Sequence, residues 1–175
     1  MKIHPSLAEQ YPFEGNSFKT KSGFNLHYLD EGEGKGVPTL FLHGNPTWSF
    51  FYRRLILALR EHGRCIVPYH IGCGLSDKPA YPDFQYNLES HGQNIIDLLD
   101  HLKIDRIRLV VHDWGGAIGL SAFRNQPERI EKIVEDKTKT AFEISIKCAH
   151  SCSVLIAKAS SYEAVVRLME AVSAG

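Results

Sequence analysis

The stretch that decides the fold of this chain is Arg108-Leu-Val-Val-His-Asp-Trp-Gly-Gly-Ala-Ile-Gly-Leu120. Its apolar, β-branched Leu-Val-Val run is typical of a buried parallel strand. The Gly-Gly pair then begins a helical pattern that runs to Arg124 and is closed by Pro127. Asp113 therefore lies on a sharp turn between a strand and a helix.

This turn has the layout of a nucleophile elbow, in which Asp113 stands where many hydrolases carry serine. A carboxylate is a nucleophile at neutral pH without the help of a base, and the N-terminus of the following helix favours its negative charge. The alternative interpretation is that Asp113 only caps the helix, as aspartate often does. The turn by itself leaves both interpretations open.

A second motif favours the catalytic interpretation. Thr39-Leu-Phe-Leu42 predicts another short buried strand, and His43-Gly-Asn-Pro-Thr-Trp48 follows it. Asn45 then lies on a tight loop at the carboxyl end of the strand, where open α/β sheets bind ligands. Its amide and the indole of Trp114 are donors of the kind that stabilise a developing anion. Taken singly, Asn45 is also a common turn residue and Trp114 a common core residue.

Three motifs carry a resemblance to a known family: His43-Gly-Asn-Pro-Thr-Trp-Ser-Phe50, Val67-Pro-Tyr-His-Ile-Gly-Cys-Gly-Leu-Ser-Asp-Lys-Pro79 and Val110-Val-His-Asp-Trp-Gly-Gly116. Together they resemble the haloalkane dehalogenase branch of the α/β-hydrolase fold. Within that branch, the stretch from Ile71 to Pro79 is most similar to the β-lactone decarboxylases of long-chain olefin biosynthesis. The resemblance runs from about Phe18 to Val134.

The resemblance implies that Asp113 is the nucleophile and that Asn45 and Trp114 stabilise the leaving group or oxyanion. The implied reaction breaks a carbon–halogen bond, or opens a β-lactone, in a small or long-chain apolar organic substrate, with no metal or organic cofactor. Epoxide hydrolases of the same fold also use an aspartate at this turn, though they more often carry an aromatic residue at the position of Asn45.

The chain also departs from the family pattern. The family's usual aspartate in the loop after the fourth strand is replaced by Tyr69, and no histidine of the matching region stands at the family's base position. Relatives continue through a helical cap, a second carboxylate and a late catalytic histidine, whereas this sequence turns polar after Val134. We therefore expect a truncated fold in which no histidine hydrogen-bonds Asp113, with His43 and His70 as the exceptions to test. A catalytically inactive α/β scaffold or interaction module is the competing hypothesis.

Composition bounds the remaining function classes. At 175 residues the chain is long enough for one domain, and its 20 basic and 20 acidic side chains cancel, which argues against nucleic acid as a partner. The first residues, Met1-Lys-Ile-His-Pro-Ser6, lack the apolar core of a signal peptide, and no segment is apolar enough to span a membrane. We therefore expect a cytoplasmic protein. Cys148-Ala-His150-Ser-Cys152 lacks a fourth ligand, so we expect no metal site there.

Strand and helix patterns alternate along the chain and predict an α/β fold. The predicted fold is a partial α/β-hydrolase fold, whose doubly wound sheet is mostly parallel and begins with an antiparallel N-terminal hairpin. The predicted elements are strands at Phe18–Thr20, Phe24–Leu29, Thr39–Leu42, Cys65–Pro68, Ile107–Val111 and Ile130–Val134, with helices at Phe50–His62, after Asn87 and at Gly115–Arg124.

We expect residues 1–134 to form the N-terminal part of an α/β-hydrolase domain and residues 135–175 to form a tail that packs on the same domain. In this tail, alternation over Phe142–Cys148 favours a strand, and an apolar stripe over Tyr162–Val172 favours a helix. A sheet that ends after about the sixth strand has an exposed edge. The tail either covers that edge or leaves it free for self-association.

Overall fold

The computed structural model of the chain describes residues 7, 10–34, 36–136 and 156–159. The strands in this part of the chain are β1 (Gly15–Lys19), β2 (Asn25–Glu31), β3 (Thr39–Leu42), β4 (Cys65–Pro68), β5 (Ile107–His112), β6 (Ile130–Asp136) and β7 (Ile156–Ala159). Its α-helices are α1 (Arg53–Leu59), α2 (Leu88–His101) and α3 (Trp114–Phe123). Among these residues, no helix is both long enough and apolar enough to cross a bilayer.

The described strands form one sheet in the order β1-β2-β4-β3-β5-β6-β7. β1 pairs antiparallel with β2, and β2 pairs antiparallel with β4. The ladders from β4 through β3, β5 and β6 to β7 are parallel. The predicted α/β fold is confirmed, including the mostly parallel sheet and the antiparallel N-terminal hairpin.

Helices cover both faces of this sheet. Successive side chains of a strand point to opposite faces, so each strand packs against helices on both sides. Leu40 and Leu42 of β3 pack in the core formed with α2 and α3. Phe41, between them, packs in the core on the other face, with α1. The same alternation divides Val110 of β5 from its neighbour Val111. The strands are therefore buried on both faces, as their continuous apolar runs predicted.

Most predicted elements are present with small differences at their ends. β3 and β4 have the predicted bounds. Asn87 caps α2, its side-chain oxygen accepting a hydrogen bond of 2.8 Å from the backbone N–H of Ser90. β1 begins three residues earlier than predicted, at Gly15, because its ladder with β2 continues to the pair of Gly15 and Leu29.

The segment predicted as one helix, Phe50–His62, is divided in the structure. Ser49–Tyr52 forms a 3₁₀ turn, and α1 covers only Arg53–Leu59. The Tyr52 hydroxyl donates a hydrogen bond of 2.8 Å to the carbonyl of Leu42, the last residue of β3. This bond ties the 3₁₀ turn to the sheet and keeps the connection between β3 and α1 close to the sheet edge.

The sheet continues past β6, because β7 pairs with it in parallel register. Part of the polar stretch after Val134 belongs to β6 itself, whose backbone pairs with β7 as far as Asp136. β7 was not among the predicted strands. The strand predicted at Phe142–Cys148, the helix predicted at Tyr162–Val172 and the Cys148–Cys152 motif lie outside the described residues.

Candidate functional site

The predicted nucleophile and its predicted donor lie at the ends of neighbouring strands. β3 and β5 pair in parallel, with Leu42 beside Val111, so the carboxyl ends of both strands lie next to each other. The residues from His43 to Trp48 then form a short connection, here called the Asn45 segment. Within it, the backbone N–H of Asn45 donates a hydrogen bond of 3.1 Å to Oδ2 of Asp113.

The backbone at Asp113 is unusual. Its φ is 52° and its ψ is −126°, in the left-handed half of conformational space that favours glycine. The Asp113 carbonyl accepts a hydrogen bond of 3.0 Å from the N–H of Gly116, which closes the turn into α3. The carboxylate itself accepts no capping hydrogen bond from α3. The side chain therefore does not cap α3, and simple capping does not explain the aspartate.

Two glycines make this turn possible. A Cβ at Gly115 would lie 2.0 Å from the carbonyl oxygen of Leu42, because α3 begins directly against β3. A Cβ at Gly44 would lie 2.5 Å from Cβ and Oδ2 of Asp113. The absence of both side chains lets the Asn45 segment approach the carboxylate within hydrogen-bond distance.

Trp114, the third predicted site residue, is the first residue of α3 and is 53% exposed. An indole this exposed is not part of the core, so the alternative interpretation of Trp114 as a core residue is wrong. Nearby in sequence, the ring of His112 is stacked on Phe51 with centroids 4.1 Å apart and an interplanar angle of 17°. Phe51 is itself 38% exposed. Exposed aromatic side chains thus accompany the residues on either side of Asp113 in the sequence.

His43 and His70 form a buried pair beside this turn. Nδ1 of His43 donates to the Gly44 carbonyl at 2.9 Å, so its Nε2 is free to accept the backbone N–H of His70 at 3.1 Å. Nε2 of His70 donates to the His43 carbonyl at 3.1 Å. Burial lowers the pKa of His43 to about 4 and lowers the pKa of His70 well below its ordinary value. Both imidazoles are therefore neutral at neutral pH.

No histidine nitrogen hydrogen-bonds the Asp113 carboxylate within residues 10–34 and 36–136. His43 and His70, the two exceptions considered from the sequence, use their described hydrogen bonds on each other and on Gly44. In the same part of the chain, no three side chains of histidine, cysteine, aspartate or glutamate are grouped as metal ligands.

The sequence did not single out a group of buried hydroxyls, here called the hydroxyl cluster, formed by Tyr11, Ser49 and Tyr69. The Tyr11 hydroxyl hydrogen-bonds the Ser49 hydroxyl and lies 2.5 Å from the Tyr69 hydroxyl. All three residues are buried, and burial raises the pKa of both tyrosines, so their hydroxyls stay protonated. The signal in the sequence was Tyr69, at the position where the family resemblance implies aspartate.

Comparison with known proteins matches the chain to one family and to several characterised relatives. Residues 37–150 match the model of the alpha/beta hydrolase fold. A cis-3-alkyl-4-alkyloxetan-2-one decarboxylase from Shewanella oneidensis is 48% identical over 70% of this chain and 38% of its own length. Haloalkane dehalogenase 2 from Mycobacterium bovis is 41% identical over 73% of this chain and 43% of its own length.

Solved structures of hydrolases are also similar to this chain. An epoxide hydrolase from Vigna radiata superposes with a TM-score of 0.65 at 31% identity, over 72% of this chain and 38% of that one. A loop variant of a haloalkane dehalogenase from Bradyrhizobium elkanii gives a TM-score of 0.66 at 28% identity, over 72% of this chain and 40% of that one. The chain thus spans about two fifths of the length of these relatives.

Proposed function

The chain belongs to the alpha/beta hydrolase fold family, and we propose that it carries the nucleophile half of a dehalogenase-type active site. In this proposal Asp113 is the nucleophile, and the turn between β5 and α3 is its nucleophile elbow. Asn45 and Trp114 provide the donors that stabilise the departing group. The strands that precede Asn45 and Asp113 are parallel, and ligands bind at the carboxyl ends of parallel strands in folds of this type.

The observation that carries the proposal is the backbone conformation of Asp113. A φ of 52° at a residue other than glycine costs about 1–3 kcal/mol, and such strain persists where the surrounding structure enforces it. Here Gly44 and Gly115 leave room for the strained turn. The strain is consistent with a side chain that is held out for reaction rather than folded back onto α3.

The proposed first step is displacement at carbon. An Oδ atom of ionised Asp113 attacks the carbon that bears the halogen, the carbon–halogen bond breaks with its electron pair, and an alkyl ester and a halide ion result. In this proposal the indole of Trp114 and the Asn45 amide donate hydrogen bonds to that halide. A base then takes a proton from water, the water hydrolyses the ester, and the alcohol is released as the Asp113 carboxylate is regenerated.

A β-lactone is the second proposed substrate class, because the relative from Shewanella oneidensis is described as an oxetanone decarboxylase. Attack by the Asp113 carboxylate on the saturated ring carbon that bears the ring oxygen breaks this carbon–oxygen bond, and the products are an ester at Asp113 and a carboxylate on the opened substrate. An epoxide is the third class, supported by the structural similarity to the Vigna radiata epoxide hydrolase. Asn45 argues for a halide or lactone over an epoxide, because the epoxide hydrolases more often carry an aromatic residue there.

Intact-mass spectrometry tests the proposal directly. The purified chain is incubated with a panel of alkyl halides, β-lactones and epoxides, and the mass of the protein is compared with that of the Asp113→Asn variant. We expect a single adduct on the parent chain, located at Asp113 by peptide mapping, and none on the variant. If the parent chain remains unmodified by every class while folded, the chain is an inactive scaffold and the proposal fails.

The same experiment shows how far the reaction proceeds. Within residues 36–136, His43 and His70 are buried and neutral, with hydrogen bonds that do not involve Asp113. General-base catalysis contributes on the order of 10²–10⁴-fold, so we expect an ester that accumulates and turns over slowly. Steady release of halide, abolished by Asp113→Asn, would contradict this and indicate a base elsewhere in the chain.

A further inference from the structure

The Asn45 segment is held at both of its ends by two consecutive residues, Tyr69 and His70. At the near end, the backbone N–H and Nε2 of His70 both hydrogen-bond His43, each at 3.1 Å. At the far end, Tyr69 is linked through the Tyr11 hydroxyl to Ser49, the first residue after the segment. The two residues that follow β4 therefore hold both ends of the Asn45 segment, which follows β3.

Aromatic packing strengthens the clamp at the far end. The Trp48 ring, the last of the segment, lies 5.6 Å from the Tyr69 ring at an interplanar angle of 71°. It also lies 5.2 Å from the ring of Tyr11. The hydroxyl cluster thus lies beside these rings, and the Tyr11 hydroxyl hydrogen-bonds both of the other hydroxyls.

The segment between its two ends is compact. The backbone N–H of Thr47 donates to the Gly44 carbonyl at 3.1 Å, and the Thr47 hydroxyl donates to the same oxygen at 2.9 Å. Asn45 lies inside this turn. Because these two hydrogen bonds join Thr47 to Gly44, a shift of the segment's far end would reach the Asn45 N–H through the turn.

We propose that the hydroxyl cluster is a positioning device, which fixes the Asn45 segment so that the Asn45 N–H meets Oδ2 of Asp113. Tyr69 is the positioning residue at its centre, in place of the aspartate that the family resemblance implies at this position. Only the catalytic consequence of this inference rests on the proposed function. The hydrogen bond between Asn45 and Asp113 is a property of the folded chain and is measured without substrate.

Nuclear magnetic resonance of the ¹⁵N-labelled full chain tests the inference. The amide proton of Asn45 reports its hydrogen bond to the carboxylate, and the Asp113→Gly variant supplies the shift of that amide without a carboxylate partner. Tyr69→Phe and Tyr11→Phe each remove one hydroxyl and keep the ring. In both variants we expect the Asn45 amide shift to move from the parent value toward the Asp113→Gly value.

Tyr28→Phe is the matched control, because Tyr28 is a buried tyrosine whose ring packs in the core on the opposite face of the sheet. It removes a hydroxyl from a buried tyrosine without touching the hydroxyl cluster, and the Asn45 amide shift should stay at the parent value. An Asn45 shift that is unchanged in Tyr69→Phe, or that moves equally in Tyr28→Phe, overturns the inference.

The rate of ester formation at Asp113 provides a second measurement. Misplacement by about 1 Å can cost about 10²-fold in rate, so we expect a fall of about 10- to 100-fold in Tyr69→Phe and no change in Tyr28→Phe. If the parent chain forms no ester, the proposed function fails while the amide shift still decides the positioning role. Thermal unfolding of each variant identifies any loss of the whole fold, and Tyr11→Phe then serves as the independent variant.

Discussion

Asp113 adopts a backbone conformation that few residues other than glycine adopt, and this conformation raises the free energy of the folded state. Its φ of 52° is shared, among non-glycine residues of the described chain, with Lys103 at 56°. Lys103 lies after the C-terminus of α2, where a left-handed residue is a common way to end a helix. At Asp113, by contrast, the conformation begins a helix, so helix termination does not account for it.

Asp113→Gly should therefore make the chain more stable while it removes the proposed nucleophile. Relief of the strain should raise the free energy of unfolding by about 1 kcal/mol relative to Asp113→Asn, which keeps the strained backbone. Urea denaturation of the two variants measures the difference. Lys103→Gly is a positive control for the same relief. Equal stability of the two Asp113 variants would show that the turn is not strained.

His43 and His70 predict a second residue-scale effect, on the pH dependence of stability. Both are buried and neutral in the fold, and burial lowers the pKa of His43 to about 4, whereas an unfolded histidine titrates near pH 6.5. Between these values the unfolded chain binds more protons than the folded chain. The free energy of unfolding is thus highest above about pH 6.5 and falls as the pH is lowered, by about 1.4 kcal/mol per pH unit for each such histidine.

Urea denaturation at about pH 7.5 and about pH 5.5 measures this slope on either side of the ordinary histidine pKa. His70→Asn should lower the stability at the higher pH but flatten the slope. A slope that is identical in the parent chain and in His70→Asn would contradict the assignment of a neutral buried His70.

At the scale of elements, the contact between β3 and α3 controls the geometry of the site. α3 begins two residues after the end of β5 and lies directly on the end of β3, with Gly115 at the point of contact. Any side chain at this position separates the helix from the strand. The distance between the Asn45 segment and Asp113 therefore depends on this glycine.

Gly115→Ala and Gly116→Ala form a matched pair that tests this contact. An alanine Cβ at Gly115 would meet the Leu42 carbonyl at 2.0 Å, whereas one at Gly116 would meet its nearest neighbour, Cγ2 of Val111, at an ordinary 3.7 Å. We expect Gly115→Ala to lower the free energy of unfolding by about 1–3 kcal/mol or more. Gly116→Ala should raise it by about 0.5–1 kcal/mol through helix propensity. Equal unfolding midpoints in urea would contradict the close contact.

The elements that the sequence predicts best are those whose signal is local. β3 and β4 are continuous apolar runs bounded by glycine, proline or a polar turn, and their bounds were predicted to the residue. The 3₁₀ turn before α1 was missed, because it depends on the contact of Tyr52 with Leu42 across the sheet edge. β7 was also missed, because its four residues carry no alternation of apolar and polar side chains.

The same distinction applies to the site. The proximity of Asn45 and Asp113 follows from two strand ends and the order of strands implied by the family resemblance, so it was predictable. The hydroxyl cluster was not predictable, because Tyr11 meets partners 38 and 58 residues away and no local pattern matches one buried hydroxyl to another. Only Tyr69, at the position where the family resemblance implies aspartate, indicated that this region differs from the family pattern.

At the scale of the whole molecule, the sheet has edges at β1 and β7 in the part of the chain that the structure describes. β1 is short and mostly exposed. β7 covers the edge of β6, a longer strand that lies next to the strand preceding Asp113. An uncovered β6 would present unpaired backbone groups to other copies of the chain, which favours self-association.

Ala157→Pro and Lys158→Pro test the pairing of β7 with β6. Successive N–H groups of a strand point to opposite edges, so one proline removes an N–H that faces β6 and the other removes one that faces away. We expect one of the two variants to self-associate more with rising concentration, measured by light scattering, and the other to resemble the parent chain. Two variants that both match the parent chain would contradict a role for β7 in covering β6.

The order of strands also sets when the site is completed during synthesis. β3 lies between β4 and β5, and the partner that brings Asp113 to Asn45 is made 68 residues after Asn45. At about 5–20 residues per second, a ribosome needs roughly 3–14 seconds to cover that distance. Until β5 is made, the edge of β3 that pairs with β5 is free, and the Asn45 N–H lacks the carboxylate to which it donates in the folded chain.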